Sequence, residues 1–213
     1  MKFKTSFTKG LILALIYCFS NSFASFAQPY YFTRYSTSDG LTSNTIYRLA
    51  QDKEGYIWIG TRNGICRYDG TTFIPGYNEL DAYSAMGGMT TGLYVDSDGF
   101  VWFSTNRGTG FFSLTNGQIT TFDAISIAIN YIVEDNDANI WLAGDEIYRY
   151  NKKSGQIERY PAESNFRSVC VTVDVFGALW ASSTDGKLYK FNSRRDRFEQ
   201  VGGFSAKYLF ATK

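Results

Sequence analysis

Asp52-Lys53-Glu54-Gly55-Tyr56-Ile57-Trp58-Ile59-Gly60-Thr61 decides the fold, because the chain writes this phrase four times. It returns as Asp96-Ser97-Asp98-Gly99-Phe100-Val101-Trp102-Phe103-Ser104-Thr105 and as Asp135-Asn136-Asp137-Ala138-Asn139-Ile140-Trp141-Leu142-Ala143-Gly144. The fourth copy is Asp174-Val175-Phe176-Gly177-Ala178-Leu179-Trp180-Ala181-Ser182-Ser183. All four tryptophans of the protein hold the seventh position, 44, 39 and 39 residues apart, and the leading aspartates keep the same intervals. A period of about 40 residues around a strand-like core indicates one supersecondary unit copied in series, and a propeller blade is such a unit.

The phrase reads as a hairpin. Aspartate at the first position and glycine at the fourth suit a type I turn, since the carboxylate accepts from backbone N–H groups just ahead and glycine tolerates the closing conformation. Ile46-Tyr47-Arg48-Leu49-Ala50 before the turn and Tyr56-Ile57-Trp58-Ile59 after it are rich in β-branched and aromatic residues, as strands are. The tryptophans read as large apolar plates packed between neighbouring sheets. Ala138 stands where the third copy would have its glycine. No catalytic role is assigned to any of these residues.

Outward from the phrase, each copy continues to the same plan. In the first, Phe32-Thr33-Arg34-Tyr35 is expected as a short strand and Ser38-Asp39-Gly40-Leu41 as a turn. Thr61-Arg62-Asn63-Gly64 forms another turn, Ile65-Cys66-Arg67-Tyr68 a third blade strand, Asp69-Gly70 a tight turn and Thr71-Thr72-Phe73-Ile74 the outer strand. Later copies repeat this through Asn116-Gly117 and Ser154-Gly155. The extra residues of the first interval are assigned to a loop at Asp81–Met89. The expected fold is all-β: four four-stranded antiparallel propeller blades in an incomplete ring, with no sustained helical period.

Composition narrows the function. The 213 residues carry a formal net charge of +1, too balanced for a nucleic-acid binder. Lys2, Lys4 and Lys9 precede an apolar run from Leu11 to Phe19, and Ser25-Phe26-Ala27 offers small residues before Gln28. Residues 1–27 therefore read as a secretory signal peptide and 28–213 as the exported, periplasmic propeller. Tyr17 before Cys18 argues against a lipoprotein signal. The two remaining cysteines, Cys66 and Cys170, are expected as buried thiols rather than a disulfide framework.

Gly40-Leu41, Ile46 and the run Asp52-x-x-Gly55-x-Ile57-Trp58-Ile59-Gly60-Thr61-x-x-Gly64-Ile65-x-Arg67-Tyr68-Asp69-Gly70 resemble the two-component regulator propeller repeat. The resemblance covers residues 30–213, closest in the first copy. Ala143-Gly144-Asp145-Glu146 and Ser182-Ser183-Thr184-Asp185-Gly186 depart from its Gly-Thr-x-x-Gly stretch. It implies the extracytoplasmic sensor region of a bacterial hybrid or related histidine kinase, with more blades, a further β-domain, a membrane helix and cytoplasmic signalling domains. It also implies a sensor dimer partner and, in many members, a carbohydrate signal.

The chain has no histidine, so it lacks the phospho-accepting residue of a kinase transmitter. Lys213 falls 39 residues past Asp174, where a fifth turn would begin, and Tyr208-Leu209-Phe210 resembles the first strand of a fifth blade. The expectation is an N-terminal sensor fragment. The alternative is a stand-alone exported scaffold that oligomerises to complete its ring. An enzyme is disfavoured: the Ser-x-Asp-x-Gly-x-x-Trp register of the sialidase box is not kept. Asp135-Asn136-Asp137 lacks the ligand count of a calcium loop. No cofactor or metal is expected.

Topology nominates a ligand face. In a propeller the loops between second and third strands share one end with the loops that join blades. Here those loops hold Arg62, Asn63, Asn106, Arg107, Asp145, Glu146 and Asp185. Guanidinium, amide and carboxylate groups together suit hydrogen bonding to a sugar or an anionic oligosaccharide.

Overall fold

The computed structural model describes residues 31–75, 85–125, 128–160 and 168–205. The signal-peptide reading, residues 81–84 of the Asp81–Met89 loop and Tyr208-Leu209-Phe210 lie outside them. Residues 31–34 belong to a unit separate from the body of the chain; they are exposed and form no helix or strand. The strand expected at 32–35 does not form. Its place is followed by a 3-10 turn at Thr37–Asp39, the only helical element among the described residues, closed by Gly40 at φ 107°. Asp39 accepts from the Ser36 N–H at 2.8 Å, which fixes the turn before a strand can start.

From Tyr35 onward the chain makes four antiparallel sheets of four strands, each a simple meander. The first contains β1 (Ile46–Gln51), β2 (Ile57–Thr61), β3 (Gly64–Tyr68) and β4 (Phe73–Pro75). The second contains β5 (Thr90–Val95), β6 (Phe100–Thr105), β7 (Gly108–Ser113) and β8 (Ile119–Thr121). In the third are β9 (Tyr131–Glu134), β10 (Asn139–Ala143), β11 (Ile147–Asn151) and β12 (Gln156–Tyr160). The fourth comprises β13 (Ser168–Val173), β14 (Leu179–Ser183), β15 (Lys187–Asn192) and β16 (Arg197–Ser205). Their first strands contact one another in series, β1 to β5, β5 to β9 and β9 to β13. This is the inner-strand packing of propeller blades.

Sheets stack face to face because the second strand of each is buried on both faces. Trp58 of the first sheet packs with Val101 and Phe103 of the second. Trp102 packs with Ile132, Ile140 and Leu142 of the third, and Trp141 with Val171, Leu179 and Ala181 of the fourth. The small residue two places after each tryptophan has its reason here. A Cβ on Gly60 would lie 2.5 Å from Thr90 Cγ2 of the next sheet. Ser104, in the same position, accepts from the Ile129 N–H at 3.1 Å. Larger side chains there would hold the sheets apart.

Candidate functional site

The two ends of the sheets differ in chemistry. At the end formed by the aspartate turns, each carboxylate does two jobs. One oxygen accepts from the backbone N–H four residues on: Tyr56, Phe100, Asn139 and Ala178, at 2.9, 2.9, 2.8 and 2.8 Å. The other accepts from the indole N–H six residues on. Those bonds, Trp58 to Asp52, Trp102 to Asp96, Trp141 to Asp135 and Trp180 to Asp174, measure 2.9, 2.9, 2.7 and 2.8 Å. The sequence reading treated aspartate and tryptophan separately. Their constant six-residue offset, present in every copy, was the signal that they are partners.

Contacts between blades continue from these turns. Lys53 donates to the carbonyl of Ser97 in the next turn. The Ser97 N–H and hydroxyl donate to Glu134 of the third sheet at 2.7 and 2.6 Å. Lys152, with its side chain only 10% exposed, lies 2.6 Å from Asp98, 2.6 Å from Glu134 and 3.4 Å from the fully buried carboxylate of Asp96. Burial pulls the Glu134 carboxyl upward, but Lys152 and the two Ser97 bonds outweigh it and hold it below the ordinary carboxylate range. Between the third and fourth sheets, Arg149 pairs with Glu158 at 2.5 Å and Asp196 at 3.1 Å. Tyr160 donates to the same Asp196 oxygen at 2.9 Å. Lys53, Glu134, Lys152, Arg149 and Asp196 at this end thus join neighbouring sheets. Nothing in the local sequence reveals the Lys152 and Arg149 clusters, since their members come from different repeats.

The opposite end carries the seven nominated residues, and the structure places all of them on β2–β3, β6–β7, β10–β11 and β14–β15 hairpins. The local fold is set by a hydroxyl at the end of the second strand. Thr61 Oγ1 accepts from the Asn63 N–H at 3.1 Å, Thr105 Oγ1 from Arg107 at 3.0 Å and Ser183 Oγ from Lys187 at 3.1 Å. The third copy has Gly144 instead, whose own N–H closes the turn on the Glu146 carbonyl at 2.9 Å.

Not all seven are equally available. Asn106 Oδ1 accepts from the Met89 N–H at 2.8 Å, which spends it on the preceding loop. Glu146 pairs with Arg159 and accepts from the Tyr148 hydroxyl at 2.8 Å. Burial, with Glu146 beside it, pushes that hydroxyl up to about 12. Asp185 accepts from Ser183 and pairs with Lys187 at 2.9 Å, which hold its carboxyl down at about 2. Each of these contacts stays within one blade. Arg62, Asn63 and Asp145 present exposed side chains, with the Arg62 N–H bonded to the Thr45 carbonyl at 3.0 Å; Arg107 is exposed as well but already engages other groups of the protein.

Among the described residues no group of histidine, cysteine or carboxylate side chains is arranged to hold a metal ion. Nor is any described helix long and apolar enough to cross a membrane.

Comparison with known proteins agrees with this architecture. The sequence model of the Two component regulator propeller matches residues 40–63 and 86–107, which contain the first two copies of the phrase. A 42-residue stretch is 40% identical to Histidine kinase P4 of Formosa agariphila, covering 20% of this chain and 3% of that protein. The extracellular domain of a putative hybrid two component system from B. thetaiotaomicron superposes with a TM-score of 0.62 at 16% identity, over 78% of this chain and 24% of that one. A catalytically inactive His-to-Ala variant of virginiamycin B lyase from Staphylococcus aureus, solved with quinupristin, superposes at 0.60 and 22% identity, over 76% of this chain and 55% of that one. The chain thus spans about a quarter of the sensor domain and about half of the lyase. At these identities the likeness is one of fold. The sequence match to the two component regulator propeller covers the first two of the four repeats.

Proposed function

We propose that this chain is the ligand-sensing propeller of a two-component sensor, exported to the periplasm and forming the N-terminal part of a longer receptor with membrane and kinase segments. The match of its first two repeats to the two component regulator propeller carries this reading. The short stretch shared with a histidine kinase supports it. The chain itself has no histidine, so its part in signalling is binding rather than phosphotransfer.

The ligand face is the end bearing Arg62, Asn63, Asn106, Arg107, Asp145, Glu146 and Asp185, and the ligand class is a saccharide or anionic oligosaccharide. Arg62, Asn63, Arg107 and Asp145 supply the outward-facing donors and acceptor. A ligand touching loops of separate blades favours one relative placement of those blades, which biases the equilibrium read by a dimer partner and the segments beyond. Thermal shift of the chain against a panel of neutral and acidic oligosaccharides tests the site. A stabilising saccharide whose effect disappears in the Arg62→Ala/Arg107→Ala double variant is the expected result. A shift that survives the double variant, or no shift across the panel, overturns the assignment.

A further inference from the structure

The seven nominated residues do not include Arg48, whose place in the first sheet brings it between their hairpins. It lies on β1 opposite Gly60, two residues before Arg62. The start of its strand is tied to that hairpin, since the Arg62 N–H donates to the Thr45 carbonyl at 3.0 Å. From β1 the side chain passes the second sheet and reaches the third. Its Nη2 donates to the Asn130 carbonyl at 3.3 Å, and the guanidinium carbon lies 6.0 Å from the centre of the Tyr131 ring.

Asn130 is itself joined to the next nominated hairpin. Its N–H donates to the Ala143 carbonyl at 2.8 Å. A Cβ on Gly144 would collide with the Ala128 carbonyl, so the hairpin bearing Asp145 and Glu146 rests directly on this segment. The inter-sheet bonds described above all join neighbouring sheets, whereas that of Arg48 skips one. Arg48 thus stands on the inner strands between the hairpin of Arg62 and Asn63 and the hairpin of Asp145.

A counter-charge is missing there. Nη1 donates to the Tyr47 carbonyl at 2.9 Å, so both acceptors of this half-buried guanidinium are neutral. Among the described residues no carboxylate pairs with it. Glu146 and Asp185, at the same end, are already matched by Arg159 and Lys187. A charged acceptor bonds a guanidinium about twice as strongly as a neutral one, and partial burial limits the screening of that bond by water.

We infer that Arg48 binds an oxyanion group of the ligand, a carboxylate or a sulfate, which replaces the Asn130 carbonyl as acceptor for Nη2. Binding exchanges a bond between two sheets for a bond to ligand, so the anion acts on the first and third sheets together. Within the ligand face proposed above, Arg48 selects acidic over neutral saccharides. That selectivity rests on the sensing role, but the anion site does not.

Inorganic sulfate and acetate are the probes, each titrated against chloride at constant ionic strength with Tm as the readout. A saturable rise is sought, distinct from the unsaturable effect of salts excluded from the surface. The chain is expected to gain about 4 °C at ten times the half-saturating concentration of the better anion. Which anion is better separates a sulfate ester from a uronic carboxylate as the natural group. Arg48→Met abolishes the saturable rise. So does Arg48→Gln, which keeps a donor for the Asn130 carbonyl and guards against a failure to fold. Arg194→Met, which removes the same charge from the exposed β15–β16 turn at the far end, retains it. No saturable rise in the chain, an equal rise in the Arg48 variants, or loss in Arg194→Met as well overturns the inference. The two readings fail separately. An anion effect that needs Arg48 stands even if no oligosaccharide of the panel binds. An oligosaccharide shift that needs Arg62 and Arg107 but not Arg48 keeps the ligand face and removes this subsite.

Discussion

The indole of Trp58 donates to Asp52 Oδ2 at 2.9 Å across the turn that separates them, with both residues buried. One bond therefore ties the turn geometry to the plate that fills the interface with the next blade. A hydrogen bond to a charged group contributes about 1.5–3 kcal/mol. Asp52→Ala and Trp58→Phe are each expected to cost about 2–3 kcal/mol, and the double variant about 1–2 kcal/mol less than their sum. Urea unfolding of the four proteins checks this, and strict additivity would show the bond to be incidental.

Ala138 sits at φ 64°, where the other copies have Gly55, Gly99 and Gly177 at 91°, 85° and 82°. A left-handed conformation costs a residue with a Cβ about 1–2 kcal/mol. Ala138→Gly is expected to stabilise the chain by about 1 kcal/mol despite glycine's larger freedom when unfolded. A higher urea midpoint with unchanged slope is the readout, and a lower midpoint refutes it.

Lys152 holds three carboxylates, those of Asp96, Asp98 and Glu134. Removing one partner from a buried ion cluster strands the rest, so Lys152→Met should cost about 3 kcal/mol at neutral pH. Glu134 titrates below its ordinary value when folded. Its stabilisation is thus complete above the unfolded pKa of about 4.3 and fades as pH falls through the folded one. In Lys152→Met the folded Glu134 carboxyl loses the cation that holds it down and moves upward, so the penalty of the substitution shrinks between neutral pH and pH ~4. Urea midpoints of both proteins across that range decide it; a penalty independent of pH speaks against the cluster.

Gly60 has Thr90 of the next sheet against it. Gly60→Val overpacks the first interface and should cost about 1–3 kcal/mol. Gly60→Ala/Thr90→Ala should recover part of the loss seen in Gly60→Ala alone, because the colliding Cγ2 has gone. No recovery would place the strain elsewhere.

Cys66 and Cys170 are buried thiols in different blades, and neither is in a disulfide. Burial pushes the Cys66 thiol up, leaving little thiolate. Both are expected to react with a thiol reagent only upon unfolding. Rapid labelling of the native chain would contradict their placement.

Much of this was legible in the sequence because the repeat isolates what is local. Turn, hairpin and strand order follow from Asp-x-x-Gly and its flanking β-branched residues, and the four-stranded meanders match the reading. The strand expected at Phe32-Thr33-Arg34-Tyr35 failed because alternation alone does not create a pairing partner, and Ser36 and Asp39 close a turn at once. At the candidate site, the hairpins could be placed but the commitment of Asn106, Glu146 and Asp185 could not. Met89 and Arg159 reach Asn106 and Glu146 across the blade, and although Ser183 and Lys187 lie only two residues either side of Asp185, the phrase does not specify that they bind it. The clusters around Lys152 and Arg149 join separate repeats and leave no periodic trace.

Trp58, Trp102 and Trp141 are each rooted in one sheet and roofed by the next. During synthesis the chain grows from its N-terminus at about 5–20 residues per second, so a finished hairpin waits roughly 2–8 s for the following 40 or so residues before its indole is covered. Assembly consequently runs one unit behind elongation. The aspartate that grips each indole keeps it in its final pose through that delay, so the newest blade meets a prepared surface rather than a loose ring.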